Sequence, residues 1–411
     1  MIPRARRLLL AVLQAGLREL EGGRQVRQFL DQDSRFQQSD FATHLFAMGK
    51  AARSMTAGAV AALGDRVLSG LVIHPAGVTE PVLPASLECL PGEHPVPGEG
   101  SFHAGERVLA YLDGLSPSEG LLVLLSGGGS ALVEQPRPGL TREQVQAAHR
   151  WLLESGLGIQ HMNRVRQAIS ATKGGALAAR VPQASVQALA LSDVPEEVPA
   201  ALASGPFLPP LAGPLPPGLP DWLERAALQG QQDRPDTIPQ IPHQILADAR
   251  RAGEVLTEQL RGQGVSVALS EQRMTGEVQE VAADLAAHMP TAGQARIHWG
   301  ETRLAIPARA GRGGRCQHLA LEVARRLAGR SGWSLLAVGT DGQDGNGGDA
   351  GALVDGGTVR RGLDAGRDPD QALAEYDSGA FLEAAGDLVR TGPTGTNLNE
   401  VIVALGSGEA L

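Results

Sequence analysis

The fold class of this chain is indicated by one stretch, Leu121-Leu122-Val123-Leu124-Leu125-Ser126-Gly127-Gly128-Gly129-Ser130. The unbroken apolar run predicts a buried strand, which ends abruptly in three glycines flanked by serines. Residues without a Cβ allow a tight turn that brings backbone N–H groups to an anion, and Ser126 and Ser130 can add hydroxyl donors. A plain glycine-rich turn is the alternative. The stretch predicts a strand that opens into a phosphate-binding loop formed by Ser126, Gly127, Gly128, Gly129 and Ser130.

The same arrangement recurs, since apolar runs are each followed by a polar cluster that mostly contains glycine. The runs span residues 44–48, 121–125, 186–191, 295–299 and 334–338. The clusters are Gly49-Lys50, Ser126 to Ser130, Ser192-Asp193, Gly300-Glu301 and Gly339 to Gly342. Ligands of open α/β sheets bind beyond the carboxyl ends of parallel strands, so these loops are expected to line one cleft. This organisation is typical of an enzyme.

Alternating strands and helices predict an α/β protein with a mostly parallel sheet. Prolines crowd between residues 206 and 240, and this Pro-rich linker is expected to separate a domain of residues 1–237 from a domain of residues 241–411. Helices are predicted at 51–63, 101–112, 141–154, 173–179, 220–228, 247–262, 277–288, 314–328 and near 379–388, and further strands at 265–269 and 400–405.

Composition excludes several classes of protein. A net charge of −9 without a basic stripe, together with 3% aromatic residues, argues against a nucleic-acid surface. Two cysteines in 411 residues predict a reducing compartment, and hence the cytoplasm. The N-terminal leucines at 9, 13, 17 and 20 have the spacing of an amphipathic helix rather than of a signal peptide, and no membrane span is expected.

Cations stand at two candidate sites in the first half of the chain. Lys50 follows a predicted strand at a helix start and could reach a phosphate or carboxylate, although an exposed surface lysine is the alternative. It does not belong to a Walker A loop, because His44 stands where that motif requires glycine. The stretch from Asn163 through Arg166 to Lys173-Gly174 favours substrate or phosphate contact over solvated helix charges.

The second half of the chain offers an arginine and several carboxylates. Arg315 opens a helix within Gly311 to His318, where it could clamp a phosphoryl group or a carboxylate. Zinc binding by Cys316 and His318 is weakly supported, since they lack partners of suitable spacing.

Asp341 and Asp344 lie on a glycine-rich loop suited to Mg²⁺ or to a substrate hydroxyl, with a solvated acidic loop as the alternative. Asp193 is a candidate general base or metal ligand. Asn397 lies in a polar turn before the last strand.

These motifs together resemble those of the glycerate 2-kinase family, whose C-terminal half is the MOFRL domain. The resemblance covers nearly the whole chain. Its collinear motifs are Gly49 to Ala52, His94 to Pro97, Ser126 to Ser130, Asn163 to Arg166 with Lys173 to Gly175, Leu191 to Val194, Ala203 to Pro206, Gly313 to Arg315, Gly339 to Gly345 and Thr394 to Asn397.

The resemblance implies ATP-dependent phosphorylation of D-glycerate to 2-phosphoglycerate with Mg²⁺. It implies two α/β domains, a larger Rossmann-like one and a smaller MOFRL domain, with the active site in the cleft between them. Lys50 and Arg315 match the positions central to catalysis in the family. The resulting hypothesis gives Asp193 the substrate proton, assigns phosphate or nucleotide binding to the glycine loop with Lys173 and Gly174, and assigns substrate binding to Asn163, Arg166 and Asn397. Asp341 or Asp344 would lie near the metal.

Three departures from the family pattern could change metal affinity or substrate choice. Cys316-Gln317-His318 replaces Asn-Gln-Glu, Pro195-Glu196-Glu197 replaces a Gly-Asp step, and Gly98 replaces Asp. The alternatives are a hydroxypyruvate reductase, which the missing Gly-x-Gly-x-x-Gly disfavours, and a non-catalytic sensor of a small anion. A homodimer is left open by the sequence.

Overall fold

The computed structural model describes residues 4–33, 42–181, 185–194, 199–234, 237–307 and 309–407. The α-helices are α1 (Arg4–Glu19), α2 (Gly22–Gln32), α3 (Ala52–Leu63), α4 (Glu99–Asp113), α5 (Gly129–Leu132), α6 (Arg142–Glu154), α7 (Ile159–Ile169), α8 (Asp221–Gln232), α9 (Ala249–Arg261), α10 (Val278–Ala287), α11 (Arg315–Arg326), α12 (Thr358–Asp364), α13 (Pro369–Ala374) and α14 (Ser378–Ala384). None of these described helices is long and apolar enough to cross a membrane.

The strands are β1 (Thr43–Met48), β2 (Val67–Pro75), β3 (Leu87–Gly92), β4 (Gly120–Leu125), β5 (Val186–Leu191), β6 (His243–Ala247), β7 (Ser266–Leu269), β8 (Gln294–Gly300), β9 (Trp333–Gly339), β10 (Gly351–Asp355), β11 (Leu388–Val389) and β12 (Glu400–Gly406). They form two six-stranded sheets, and the chain divides into two compact units. The parallel-sheet unit contains residues 22–246, and the mixed-sheet unit combines residues 1–21 with 247–411.

The parallel-sheet unit is organised around β1 and β4. Its strand order is β3-β2-β1-β4-β5-β6, and the pairings among β1 to β5 are parallel, as the alternation of elements predicted. Every residue of β4 is buried, because helices cover both faces of a sheet of this kind. The strand order reverses between β1 and β4, whose ends meet where Met48 pairs with Leu125. The loops after these two strands therefore meet at the topological switch point of the sheet.

The mixed-sheet unit has the order β11-β10-β9-β12-β8-β7. Strand β12 lies between β8 and β9 and is antiparallel to both, so the start of β12 and the ends of β8 and β9 share one edge of the sheet. At that edge Glu400 pairs with both Gly300 and Gly339. The sequence predicted β7, β8, β9 and β12 but not β10 or β11. It also missed the antiparallel insertion of β12, because strand direction depends on which strands pair and not on their local pattern.

The sequence did not predict β2, β3, β6, β10 or β11, and three further regions differ from the sequence-based predictions. Residues 173–179 do not form the predicted helix, since Gly174 and Gly175 have φ of +58° and +81°. The described parts of the Pro-rich stretch, 206–234 and 237–240, pack into the parallel-sheet unit, where Phe207 has no exposed surface and α8 contributes to the core.

Residues 1–21 group with the mixed-sheet unit instead of the N-terminal domain. Helix α1 buries Leu9 and Leu13, and an added Cβ at Gly16 would meet Leu256 of α9. The parallel-sheet unit ends at residue 246.

Candidate active site

In the parallel-sheet unit the loops after β1 and β4 are bound to each other through backbone groups. The Lys50 N–H donates to the Gly127 carbonyl at 2.9 Å, and the Ala51 N–H donates to Ser126 Oγ at 3.0 Å. Gly49 has φ of +122°, and a Cβ there would lie 2.4 Å from the Ser126 carbonyl oxygen. Ser126 has no exposed surface. Its hydroxyl therefore positions the Lys50 loop and is not directed to a ligand.

Lys50 extends along the glycine loop. A Cβ at Gly128 would lie 3.1 Å from Lys50 Cγ and 3.7 Å from His94 Cδ2, so the missing side chain leaves room for the lysine. The chain contains only two lysines, Lys50 and Lys173, among 36 basic residues. Lysine is a compact point charge on a flexible stem, whereas arginine is a planar fork. Lysine at position 50 therefore places a single flexible positive charge beside the glycine loop.

Ser130, at the other end of the loop, is part of a buried polar chain. Its Oγ lies 2.7 Å from Ser204 Oγ, and the Ser204 hydroxyl donates to Asn163 Oδ1 at 2.9 Å. Asn163 is 1% exposed, and its Nδ2 donates to the Ala201 carbonyl at 3.1 Å. Asn163, predicted to bind substrate, therefore contacts the loop that supports Ser130.

The structure places Lys173 in the protein interior, and this corrects its assignment as a phosphate ligand. Its Nζ lies 2.6 Å from Glu134 Oε2 and donates to the Val133 carbonyl, and both charged side chains are at most 1% exposed. Burial lowers the pKa of Lys173, and the carboxylate of Glu134 opposes this effect. Burial alone would raise the pKa of Glu134, but the charge of Lys173 and the hydrogen bond with His149 bring it down to about 2. Lys173 and Glu134 therefore form a buried structural ion pair, to which His149 adds a hydrogen bond.

Arg166 and Gly174 also face inward. Burial lowers the pKa of Arg166, which is 8% exposed and interacts electrostatically with Glu134. The Gly174 N–H donates to the Ser204 carbonyl at 3.1 Å. The Gly174 N–H supports the Ser204 turn behind Ser130, whereas Lys173 and Arg166 offset the buried charge of Glu134, so the predicted cationic ligand cluster is largely structural.

Asp193 follows β5, which pairs with β4, and its side chain is half-buried. It therefore lies in the loop beyond the same carboxyl edge as the glycine loop.

Pro195 to Glu197, one of the departures from the family pattern, lie outside the described residues. At Gly98, another departure, a Cβ would meet the Glu93 carboxyl carbon at 2.6 Å. Glu93 accepts from the Ser101 N–H at 2.9 Å, so it supplies the carboxylate at the start of α4.

In the mixed-sheet unit Arg315 is held by two carboxylates. Its Nε donates to Glu400 at 2.8 Å, and its Nη2 lies 2.6 Å from Glu301. Burial raises the pKa of Glu400 to about 7, although Arg315 and the Thr302 N–H oppose the rise. Burial tends to lower the pKa of Arg315, but Glu400 and Glu301 raise it above its ordinary value. The guanidinium remains charged and partly exposed at the edge where β12 begins.

Asp344 caps helix α11. Its two carboxylate oxygens accept from the N–H groups of Cys316 and Gln317 at 3.1 and 2.8 Å. Burial raises its pKa to about 6. This corrects the assignment of Asp344 as a metal ligand, since its oxygens already satisfy the helix N-terminus.

Asp341 lies at the end of β9 and accepts from the Gln343 N–H at 3.0 Å. Asn397 is 6% exposed and precedes β12 at the same sheet edge. Within the described ranges no three His, Cys, Asp or Glu side chains form a ready metal centre.

The remaining departures from the family pattern, Cys316 and His318, are buried in the mixed-sheet unit. Burial raises the pKa of the Cys316 thiol well above its ordinary value and lowers the pKa of His318. The His318 ring stacks on Tyr376 with centroids 5.5 Å apart. The imidazole therefore packs in the interior and does not replace a carboxylate at the sheet edge.

Sequence reasoning did not assign roles to Ser204, Glu134 or Glu400. Ser204 lies in a motif of the resemblance, and its positive φ of 61° could not be read from residue type. Glu400 directly follows the polar turn that contains Asn397, and this position was the available signal.

Comparisons with known proteins agree with this architecture. The domain of unknown function DUF4147 matches residues 8–213, and the MOFRL family matches residues 294–400. The chain is 34% identical over 378 residues to D-glycerate 2-kinase of Thermotoga maritima, and the aligned region covers 88% of this chain and 90% of the relative. It is 35% identical over 382 residues to a protein of Agrobacterium vitis provisionally named hydroxypyruvate reductase. That aligned region covers 86% of this chain and 84% of the relative.

A solved structure gives the same result. The crystal structure of glycerate kinase from Thermotoga maritima matches with a TM-score of 0.83 at 31% identity, covering 98% of this chain and 100% of the other. Two family models that follow one another along the chain, a relative matched over most of its length and a shared fold show that the chain belongs to the glycerate kinase family.

Proposed function

We propose that the protein transfers the γ-phosphoryl group of ATP to the 2-hydroxyl of D-glycerate, giving ADP and 2-phosphoglycerate. The observation that carries this proposal is the placement of Lys50 along a glycine loop at the switch point of a parallel sheet. The names of the family relatives support the reaction class, and the choice of hydroxyl comes from the D-glycerate 2-kinase of Thermotoga maritima. As part of the proposal we place the enzyme in the cytoplasm, where the free thiols Cys89 and Cys316 would stay reduced.

The proposed chemistry needs positioning and charge neutralisation more than covalent catalysis. A bond forms between the substrate oxygen and the γ-phosphorus while the bond from that phosphorus to the leaving ADP oxygen breaks. Asp193 accepts the hydroxyl proton. Lys50 and Arg315 stabilise the negative charge on the transferred group and on the substrate carboxylate, and the N–H groups of the glycine loop contribute further donors.

Mg²⁺ fits this proposal as an ion bound mainly by phosphate oxygens and water, with one or two carboxylates from the protein. Asp341 fits as such a carboxylate, because it lies in the loop that follows β9. Asp344 fits poorly, since both of its oxygens already accept from α11. The metal would supply charge neutralisation on the phosphates.

A reductase is the second candidate, because one relative carries that name. A dinucleotide enzyme binds the cofactor pyrophosphate at a free helix N-terminus after a Gly-x-Gly-x-x-Gly turn. In this chain the nearest match to that turn precedes α11, whose first N–H groups are occupied by Asp344. This contact favours the kinase.

The test is a coupled assay of ADP release from MgATP with D-glycerate, with the product identified by phosphorus NMR. We expect glycerate-dependent turnover and a 2-phospho product. Hydroxypyruvate with NADH or NADPH is the parallel assay, and turnover there without kinase activity would overturn the proposal. Lys50→Ala should lower kcat by at least a hundredfold, whereas Arg180→Ala, which removes an exposed ion pair with Asp113, should leave kcat nearly unchanged.

Lys50 can also be probed chemically, because the only other lysine is buried. Acetic anhydride should acetylate Lys50 and the N-terminus and leave Lys173 unmodified. We expect MgATP to protect Lys50, as measured by peptide mass spectrometry. Full modification in saturating MgATP would contradict the proposed contact with phosphate.

A further inference from the structure

The hydrogen bonds from Ala201 to Ser130 have a single direction. The carbonyl of Ala201 can only accept, so the group of Asn163 that lies 3.1 Å away must be the amide nitrogen. The amide oxygen of Asn163 then faces Ser204 Oγ at 2.9 Å. A flipped amide would place two oxygens against each other in a buried site, which costs a hydrogen bond and leaves two acceptors unsatisfied.

The direction is transmitted to Ser130. A serine hydroxyl has one proton, and Ser204 uses its proton on Asn163. Ser130 is therefore the donor in the 2.7 Å hydrogen bond between the two serine hydroxyls. Ser204 has no exposed surface, whereas Ser130 is half-buried beside the glycine loop. Ser130 consequently presents oxygen lone pairs, and no proton, to a ligand.

The backbone fixes this arrangement. Ala203 and Ser204 have φ of 49° and 61°, a region that non-glycine residues rarely occupy. Gln167 Nε2 donates to the carbonyls of Ser204 and Ala200 at 3.0 and 3.2 Å, and it holds this turn against α7. A Cβ at Gly129 would lie 3.0 Å from Ala203 Cβ, so the turn also packs closely on the glycine loop.

We propose that Ser130 is a specificity-determining acceptor that binds a hydroxyl group of the hydroxy-acid substrate and does not bind a phosphoryl oxygen. This inference rests on the proposed kinase function and deepens it. Ionised phosphate oxygens only accept hydrogen bonds, so they meet the lone pairs of Ser130 unfavourably, whereas a substrate hydroxyl can donate to them. The sequence-based expectation that Ser130 donates to phosphate is thereby reversed.

The first experiment compares wild type, Ser130→Ala and the control Ser118→Ala, whose serine is exposed. In Ser130→Ala we expect the KM for D-glycerate to rise about tenfold and the KM for ATP to stay within twofold. The control should change neither constant. A rise in the KM for ATP without a rise for D-glycerate would overturn the proposal.

Deoxy analogues identify the contacted hydroxyl. Lactate lacks the 3-hydroxyl of glycerate, and 3-hydroxypropionate lacks the 2-hydroxyl. As inhibitors, one of the two should bind equally to wild type and Ser130→Ala, while the other should lose about the same factor as D-glycerate. Equal weakening of both analogues would contradict the assignment.

Ser204→Ala tests the direction of the chain, because it frees the proton of Ser130. We expect weaker D-glycerate binding and stronger inhibition by inorganic phosphate. Because the variant leaves the buried Asn163 oxygen without its donor, the melting temperature should fall by a few degrees, and a single cooperative transition shows that the fold persists. Inhibition by phosphate as in wild type would overturn the assigned direction.

Calorimetric titration with D-glycerate separates the two proposals. If the wild type shows no kinase turnover but binds D-glycerate, and this binding weakens in Ser130→Ala, the kinase function is refuted and the acceptor role of Ser130 is kept. Turnover with unchanged D-glycerate binding in Ser130→Ala would refute the acceptor role and keep the kinase.

Discussion

Lys50 and Lys173 are the only two lysines of the chain, and their surroundings differ. Because Lys173 neutralises Glu134 in the interior, Lys173→Met should leave a buried carboxylate uncompensated and lower the free energy of unfolding by about 3 to 5 kcal/mol. Urea denaturation checks this. Arg180→Met, which removes an exposed pair, is the control and should cost under about 1 kcal/mol. Unchanged stability with a raised KM for ATP would restore Lys173 as a phosphate ligand.

Glu400 should make both stability and activity depend on pH. Its pKa of about 7 in the folded state lies above the ordinary 4.5, so the folded state holds a proton that the unfolded state has lost between these values. Its contribution to stability is therefore full below about pH 4.5 and is lost as the pH rises through 7.

The matched variant is Glu400→Gln, measured by urea denaturation from pH 4 to 8. It should remove a decline in stability of up to about 3 kcal/mol. Asp344, whose pKa is raised to about 6, contributes in the same direction in both proteins, so the difference between them reports Glu400. Activity should fall as Glu400 gains a proton and holds Arg315 less firmly, and this acid limb should flatten in the variant. Identical pH profiles would contradict the assignment.

At the scale of elements, the junction of β1 with α3 depends on close contact between two loops. Gly49→Ala places a methyl group 2.4 Å from the Ser126 carbonyl oxygen at a φ of +122°, so the loops must separate. We expect a loss of more than about 3 kcal/mol in stability and a large loss of kcat. Gly139→Ala also has positive φ, at +88°, but meets no atom within 4 Å. It should cost only about 1 kcal/mol and spare kcat. Equal effects of the two variants on kcat would show that the loop contact is unimportant.

At the scale of the whole molecule, α1 is joined to the mixed-sheet unit although it is the first helix of the chain. Arg6 lies 2.7 Å from Asp355 and 2.8 Å from Asp387, and its side chain is 11% exposed. Arg6→Ala should lower stability by about 2 to 3 kcal/mol, since Arg361 still neutralises both carboxylates. Hydrogen exchange should accelerate in α1, β10 and β11 and stay unchanged in β1. The exposed Arg18→Ala on the same helix is the control, and faster exchange in β1 would contradict this grouping.

Local pattern was enough to predict most strands and helices near the proposed site. The apolar runs at 121–125 and 334–338 became fully buried strands, and the glycines after the first run allow the contact with Lys50. These features could be predicted because burial and turn formation leave a periodic signal within a few residues. The collinear motifs likewise identified the family from residue types alone.

Other properties depend on contacts between residues far apart in sequence, and only the tertiary structure decided them. They include the antiparallel insertion of β12, the packing of residues 1–21 with 247–411, and the burial of Lys173 against Glu134. A lysine has the same letter in a ligand site and in a buried ion pair, and its partner determines which it is. For the same reason the direction of the hydrogen bond at Ser130 follows from the carbonyl of Ala201, 71 residues along the chain, which no local pattern encodes.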